Sequence, residues 1–192
     1  MRVGFDLRPA VKRATGVGRY LRGLLPALAA EGVDVVGLAA SWRDRVRRAD
    51  FPGLRIVDRR LPVRLLDLLW NRFAWPPFAR LAGAVDVSHS PTPLPLPGAG
   101  VARVVTVHDL FFVRQPDAVD ADTAAWIARL RAALAAADGI ICVSAATAGA
   151  VTELLQVPAE RLSVVPHGLE PACPYNFSYG HPTYHVNLIK LK

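Results

Sequence analysis

The chain is poor in the residues that staple or metallate small folds. Its 192 residues hold two cysteines, Cys142 and Cys173, with no CxxC pair and no metal-ligand spacing. That excludes a disulfide framework and makes the cytoplasm the expected compartment. Neither a metal nor an organic cofactor is expected. Lysine is scarce as well, with three against twenty arginines. The net charge of +7 therefore reflects in part the codon usage of GC-rich DNA, and it is a weak pointer to a partner. No apolar run reaches the roughly 18–20 residues of a membrane span. Arg2, Asp6 and Arg8 inside the first apolar run argue against a secretory leader. What remains is 52% apolar and 20% charged, the composition of a soluble chain able to bury a good core.

Seven short apolar runs punctuate the sequence: residues 2–6, 33–39, 54–58, 85–89, 103–108, 139–144 and 162–166. Most are continuous rather than alternating, as strands buried on both faces of a parallel sheet read. Helical patterns separate them. Val17, Tyr20/Leu21, Leu24 and Leu28 fall on one face, and Trp126/Ile127, Leu130, Leu134 and Ala137 on another, with Asp120 and Asp122 as cap candidates. The alternation predicts an α/β fold with a Rossmann-like, doubly wound, mostly parallel sheet. Pro26 should kink the first helix. Two stretches break the pattern. Residues 90–98 carry four prolines at alternate positions and must be extended, and residues 43–80 hold ten arginines and four aspartates among apolar clusters.

The end of the chain differs from the rest. From Cys173 onward, nine of twenty residues are Phe, Tyr, Ile, Asn or Lys, against thirteen in the preceding 172, and arginine disappears. Residues 173–192 read as foreign to the fold, a frameshifted or vector-derived tail, and 1–172 as one domain. A native but unusual tail is the alternative.

In an open parallel sheet ligands bind beyond the carboxyl ends of the strands. There the sequence places Arg8 and the turn "TGVGRY", then "SHSP", "HDL" and "SAAT". The glycine turn is no dinucleotide fingerprint. Its third glycine position is Leu21, nine residues separate Asp6 from Gly16, and no acid follows the second strand. A glycine turn opening a helix still offers free N–H groups to an anion or a hydroxyl-rich ligand. Alternatively, Gly16 and Gly18 only let the helix pack closely. Ser144 and Thr147 equally suit a helix cap or a ligand contact, and His89 an anchor for the proline loop.

Together, "MRVGFDLRP…TGVGRYLRGLLPALA", "DVSHSPTPLPLP…VARVVTVHDLFF" and "AADGIICVSAATAGAVTELLQVPAERLSVVPHGLE" resemble the N-terminal half of glycosyltransferase family 4, from Met1 to about Glu170. The resemblance implies the two-domain GT-B architecture and retaining transfer from a nucleotide-sugar donor to an acceptor alcohol, in some members lipid-linked. It implies that Gly16, Val17, Gly18 and Arg19 lie by the donor phosphates and that His108 reaches the donor sugar. Asp109 would orient that histidine or its turn. Ser144 and Thr147 would line the cleft, and Gly168 would approach the donor, preceded here by His167 where Asn is common. The second domain of such enzymes carries a donor-binding basic residue and paired glutamates. Nothing after Glu170 resembles it, so no transfer is expected from this chain alone. The arginine-rich stretch, net +6 over 38 residues, supports a different class: a scaffold or a domain bound peripherally to the inner face of an anionic membrane. A solvated face is the plain alternative. No nucleic-acid recognition module is visible.

Overall fold

The computed structural model describes residues 1–11, 15–92, 96–98, 100–114 and 121–168, with backbone alone at 121–126 and 128. The readings placed on Asp120 and on residues 173–192 lie outside these.

Seven parallel strands form one sheet: β1 (Arg2–Asp6), β2 (Asp34–Ala40), β3 (Arg55–Arg59), β4 (Val87–Ser90), β5 (Ala102–Val107), β6 (Gly139–Cys142) and β7 (Leu162–Val164). Their spatial order is β3-β2-β1-β4-β5-β6-β7, so the winding reverses between β1 and β4. That switch point opens a crevice at the carboxyl edge.

The helices are α1 (Arg8–Val11), α2 (Gly16–Ala30), α3 (Val63–Phe73), α4 (Phe78–Ala82), α5 (Phe111–Arg114), α6 (Ala121–Ala136) and α7 (Ala145–Leu155). Strand β1 shows why both faces are covered. Val3 and Phe5 are fully buried with Leu21, Leu25 and Leu28 of α2. The residue between them faces the other way, and a Cβ on Gly4 would sit 2.5 Å from Phe78 of α4. Helices α6 and α7 bury Leu130, Leu134, Val151 and Leu155 against Val105, Val107, Ile140 and Cys142. All seven strands lie where the apolar runs place them, and the sheet is parallel throughout. Helix α2 continues through Pro26 to Ala30 without interruption. The buried Leu21, Leu25 and Leu28 stabilise it there against the one backbone donor proline lacks.

Candidate functional site

The crevice is built from strand ends. Strand β5 delivers His108 to the carboxyl edge. Its Nε2 donates to the Pro91 carbonyl at 3.0 Å, and a carbonyl can only accept. In the neutral ring Nδ1 is therefore the lone-pair nitrogen. It lies 3.3 Å from Nε2 of His167, which follows β7 and donates to it. Burial lowers the His108 pKa below the ordinary imidazole value, assisted by His167. The Pro91 bond and the charge of Asp109 oppose this without reversing it. His167 is lowered likewise by burial. Both rings are neutral near pH 7.

Tyr20, one turn into α2, packs against both imidazoles. Its ring centroid is 5.1 Å from that of His108, edge to face, and 4.7 Å from that of His167. Its phenol faces Thr106, and burial raises its pKa. Thr106 in turn holds His89, whose Nε2 lies 2.7 Å from the threonine hydroxyl. His89 is wholly buried, stacks on Phe5 and is pushed down to about 3, first by burial and then by the charge of His108. It does not anchor the proline loop through these contacts; His108 does, through Pro91. His108 thus takes the loop contact in addition to its place in the crevice, because β4 turns His89 inward against Phe5 and Thr106.

The first turn of α2 separates its two glycines. Thr15 caps the helix, its Oγ accepting from Gly18 N at 3.0 Å and donating to Pro9 O at 2.8 Å. A Cβ on Gly18 would meet that Oγ at 2.7 Å and Pro9 O at 2.9 Å, whereas nothing lies within 4 Å of one on Gly16. Gly18 is a packing glycine. Gly16 has no partner in the described fold that demands glycine, which leaves room for something from outside. Val17 packs on the core and Arg19 is exposed. Gly18→Ala should destabilise the fold by about 1–3 kcal/mol through overpacking. Gly16→Ala should leave stability within about 0.5 kcal/mol. Thermal denaturation of the two variants checks this, and equal losses would contradict the distinction.

Ser144 accepts from Thr147 N at 3.0 Å and caps α7, and the Thr147 hydroxyl donates to the His108 carbonyl at 3.3 Å. Ser144 therefore serves the cap, and Thr147 also steadies His108. Asp109 is exposed and accepts from Phe111 N at 3.1 Å, so it orients the turn into α5 rather than bonding the histidine ring. Gly168 is exposed beside His167. The structure thus groups His108, Ser144 and Thr147, and joins them to α2 through Tyr20. Tyr20 and His167 are the members that sequence reasoning did not assign to the site. Tyr20 read only as one residue of an apolar helical face.

Arg8, at the end of β1, is not an open anion site. Its guanidinium grips Asp6 twice, at 2.9 and 2.8 Å, bonds Asp67 of α3, and lies 4.5 Å over the Trp70 ring. Burial disfavours its charge, but the two carboxylates outweigh that and hold its pKa above the usual value.

A parallel, doubly wound sheet with a polar cluster at its switch crevice defines a Rossmann-like domain. The family model "Glycosyltransferase Family 4" matches residues 14–172, and the chain belongs to that family. Among solved structures it is similar to sucrose-phosphate synthase from Thermosynechococcus elongatus. That match has a TM-score of 0.63 and 17% identity over 88% of this chain and 48% of the other. The chain thus spans about half the length of that solved relative. A search of curated proteins finds no match.

Proposed function

We propose that this chain is the acceptor-side half of a retaining glycosyltransferase, moving a sugar from a nucleotide-sugar donor to an acceptor hydroxyl. The observation that carries this reading is the junction, through Tyr20, of the α2 N-terminus with the neutral His108. The first turn of a helix presents N–H groups suited to the departing diphosphate, whose charge grows in the transition state. The N–H groups of Gly16 and Val17 would face those phosphates, with Arg19 adding charge, while Gly18, its own N–H taken by Thr15, only shapes the turn. His108 Nδ1, an acceptor, would take a proton-donating hydroxyl of the donor sugar in place of His167. Ser144, Thr147 and Gly168 would complete the wall, with Asp109 fixing the turn beside it. The apolar, arginine-flanked surface of α3 favours an acceptor carried on a lipid at an anionic membrane.

A cleft of this kind needs a second wall. The donor-gripping groups would stand on a second α/β domain, encoded downstream in another frame or past an insertion, as the break in composition after Ala172 suggests. Resequencing the locus and joining that domain to this one tests the reading. The joined protein should transfer labelled sugar from a nucleotide sugar, and the present chain alone should not. Transfer by the lone chain, or none by the joined protein, would overturn it.

A further inference from the structure

Helix α3 has more apolar surface than the fold uses. It buries Leu66 and Trp70 but leaves Leu65 at 50%, Leu68 at 58% and Phe73 at 65% exposed, with Trp75 just beyond at 51%. Leu65 and Trp75 also line a groove of about 340 Å³ between α3 and α4. Leu61, Leu65 and Leu69 come from α3 and the segment before it, and Trp75, Arg80 and Leu81 from the connection to α4 and α4 itself.

The charges around the groove have one sign. Among the described residues Arg60, Arg64, Arg72 and Arg80 form no ion pair, while Arg45 and Arg47 of the same basic stretch are paired with Asp58 and Asp50. The one acid on α3, Asp67, is taken by Arg8. An exposed apolar patch with unneutralised arginines and a rim tryptophan suits an anionic, apolar occupant. A second copy of the chain fits poorly, because a two-fold contact would set these arginines against their own images. The volume is at the low end for small-molecule sites and suits a hydrocarbon chain better than a protein surface.

We propose that α3 lies on an anionic lipid membrane, with one hydrocarbon chain of a membrane lipid in the α3–α4 groove and Arg80 on that lipid's headgroup. The Asp67–Arg8 link ties this helix to the end of β1, at the edge of the crevice. The inference rests on the acceptor reading above for its purpose. Its test reads binding without sugar transfer, so the two fail separately.

The test is sedimentation of the full 192-residue chain with phosphatidylcholine vesicles, with and without phosphatidylglycerol, across salt. Anionic vesicles should bind at least about tenfold more tightly, and the gain should fade as salt rises. Brominated lipid should quench the fluorescence that the Trp75→Leu variant lacks. Leu65→Ser/Leu68→Ser changes exposed residues only, so it should keep the native circular dichroism while losing vesicle binding. Arg80→Gln should reduce the preference for anionic lipid. Equal binding to both vesicles, or none, would overturn the proposal, as would a double variant that binds like the parent. A concentration-dependent dimer that the double variant abolishes, with no vesicle binding, would assign the face to self-association instead.

Discussion

His108→Ala in the joined enzyme is expected to lower kcat/KM by about 10²–10³, mostly through kcat, a loss of about 3–4 kcal/mol in transition-state stabilisation. The size follows from what the ring does in the proposed reaction. It is half-buried, its tautomer is fixed by Pro91, and its lone pair is held ready by His167 before any ligand arrives. Such preorganised contacts gain strength as charge develops and do not need to reorganise at that moment. Asparagine places an acceptor near the Nδ1 position and should recover part of the rate, whereas glutamine keeps only the Pro91 side. Because the pKa lies below the ordinary imidazole value, the acceptor form predominates at neutral pH. The rate should hold across neutral pH and fall on acidification, at a pH below that at which a free imidazole titrates. Steady-state kinetics across pH checks each part. Normal turnover by the alanine variant would remove His108 from the mechanism.

Arg8→Ala is expected to cost about 3–5 kcal/mol of stability, against the 5–15 typical of a whole domain. Asp6 is fully buried, and Arg8 supplies its charged partner at the end of the central strand. Alanine would strand that carboxylate in the core and release Asp67, loosening α3 from the crevice edge. The double variant Asp6→Asn/Arg8→Met, with no charge left buried, should recover much of the loss. Urea denaturation followed by circular dichroism measures both. A single variant within about 1 kcal/mol of the parent would contradict this view of the network.

The sheet was legible because parallel strands covered on both faces must be apolar along their whole length. "RVVTVH" and "GIICVS" could belong to few other structures. The strand ends were legible too, since a crevice rule needs only the residue after each run. Contacts between distant segments were not. Arg8 meets Asp67, and His108 meets His167, across 59 residues of chain each. No local period announces either pair. The basic stretch from 43 to 80 read as a single block of charge. In the fold Arg45 and Arg47 are tied to Asp58 and Asp50, while Arg60, Arg64, Arg72 and Arg80 pair with no carboxylate among the described residues. His89 misled because a lone histidine before a proline loop looks like an anchor, and only the facing of β4 decides which way it points.

The most direct measurement is the anomeric configuration of the first sugar product released by the joined enzyme, read by NMR from a panel of nucleotide-linked hexoses. A product with the donor's configuration, formed only when both domains are present, is the predicted result. An inverted product, or no transfer from any nucleotide sugar, would contradict it.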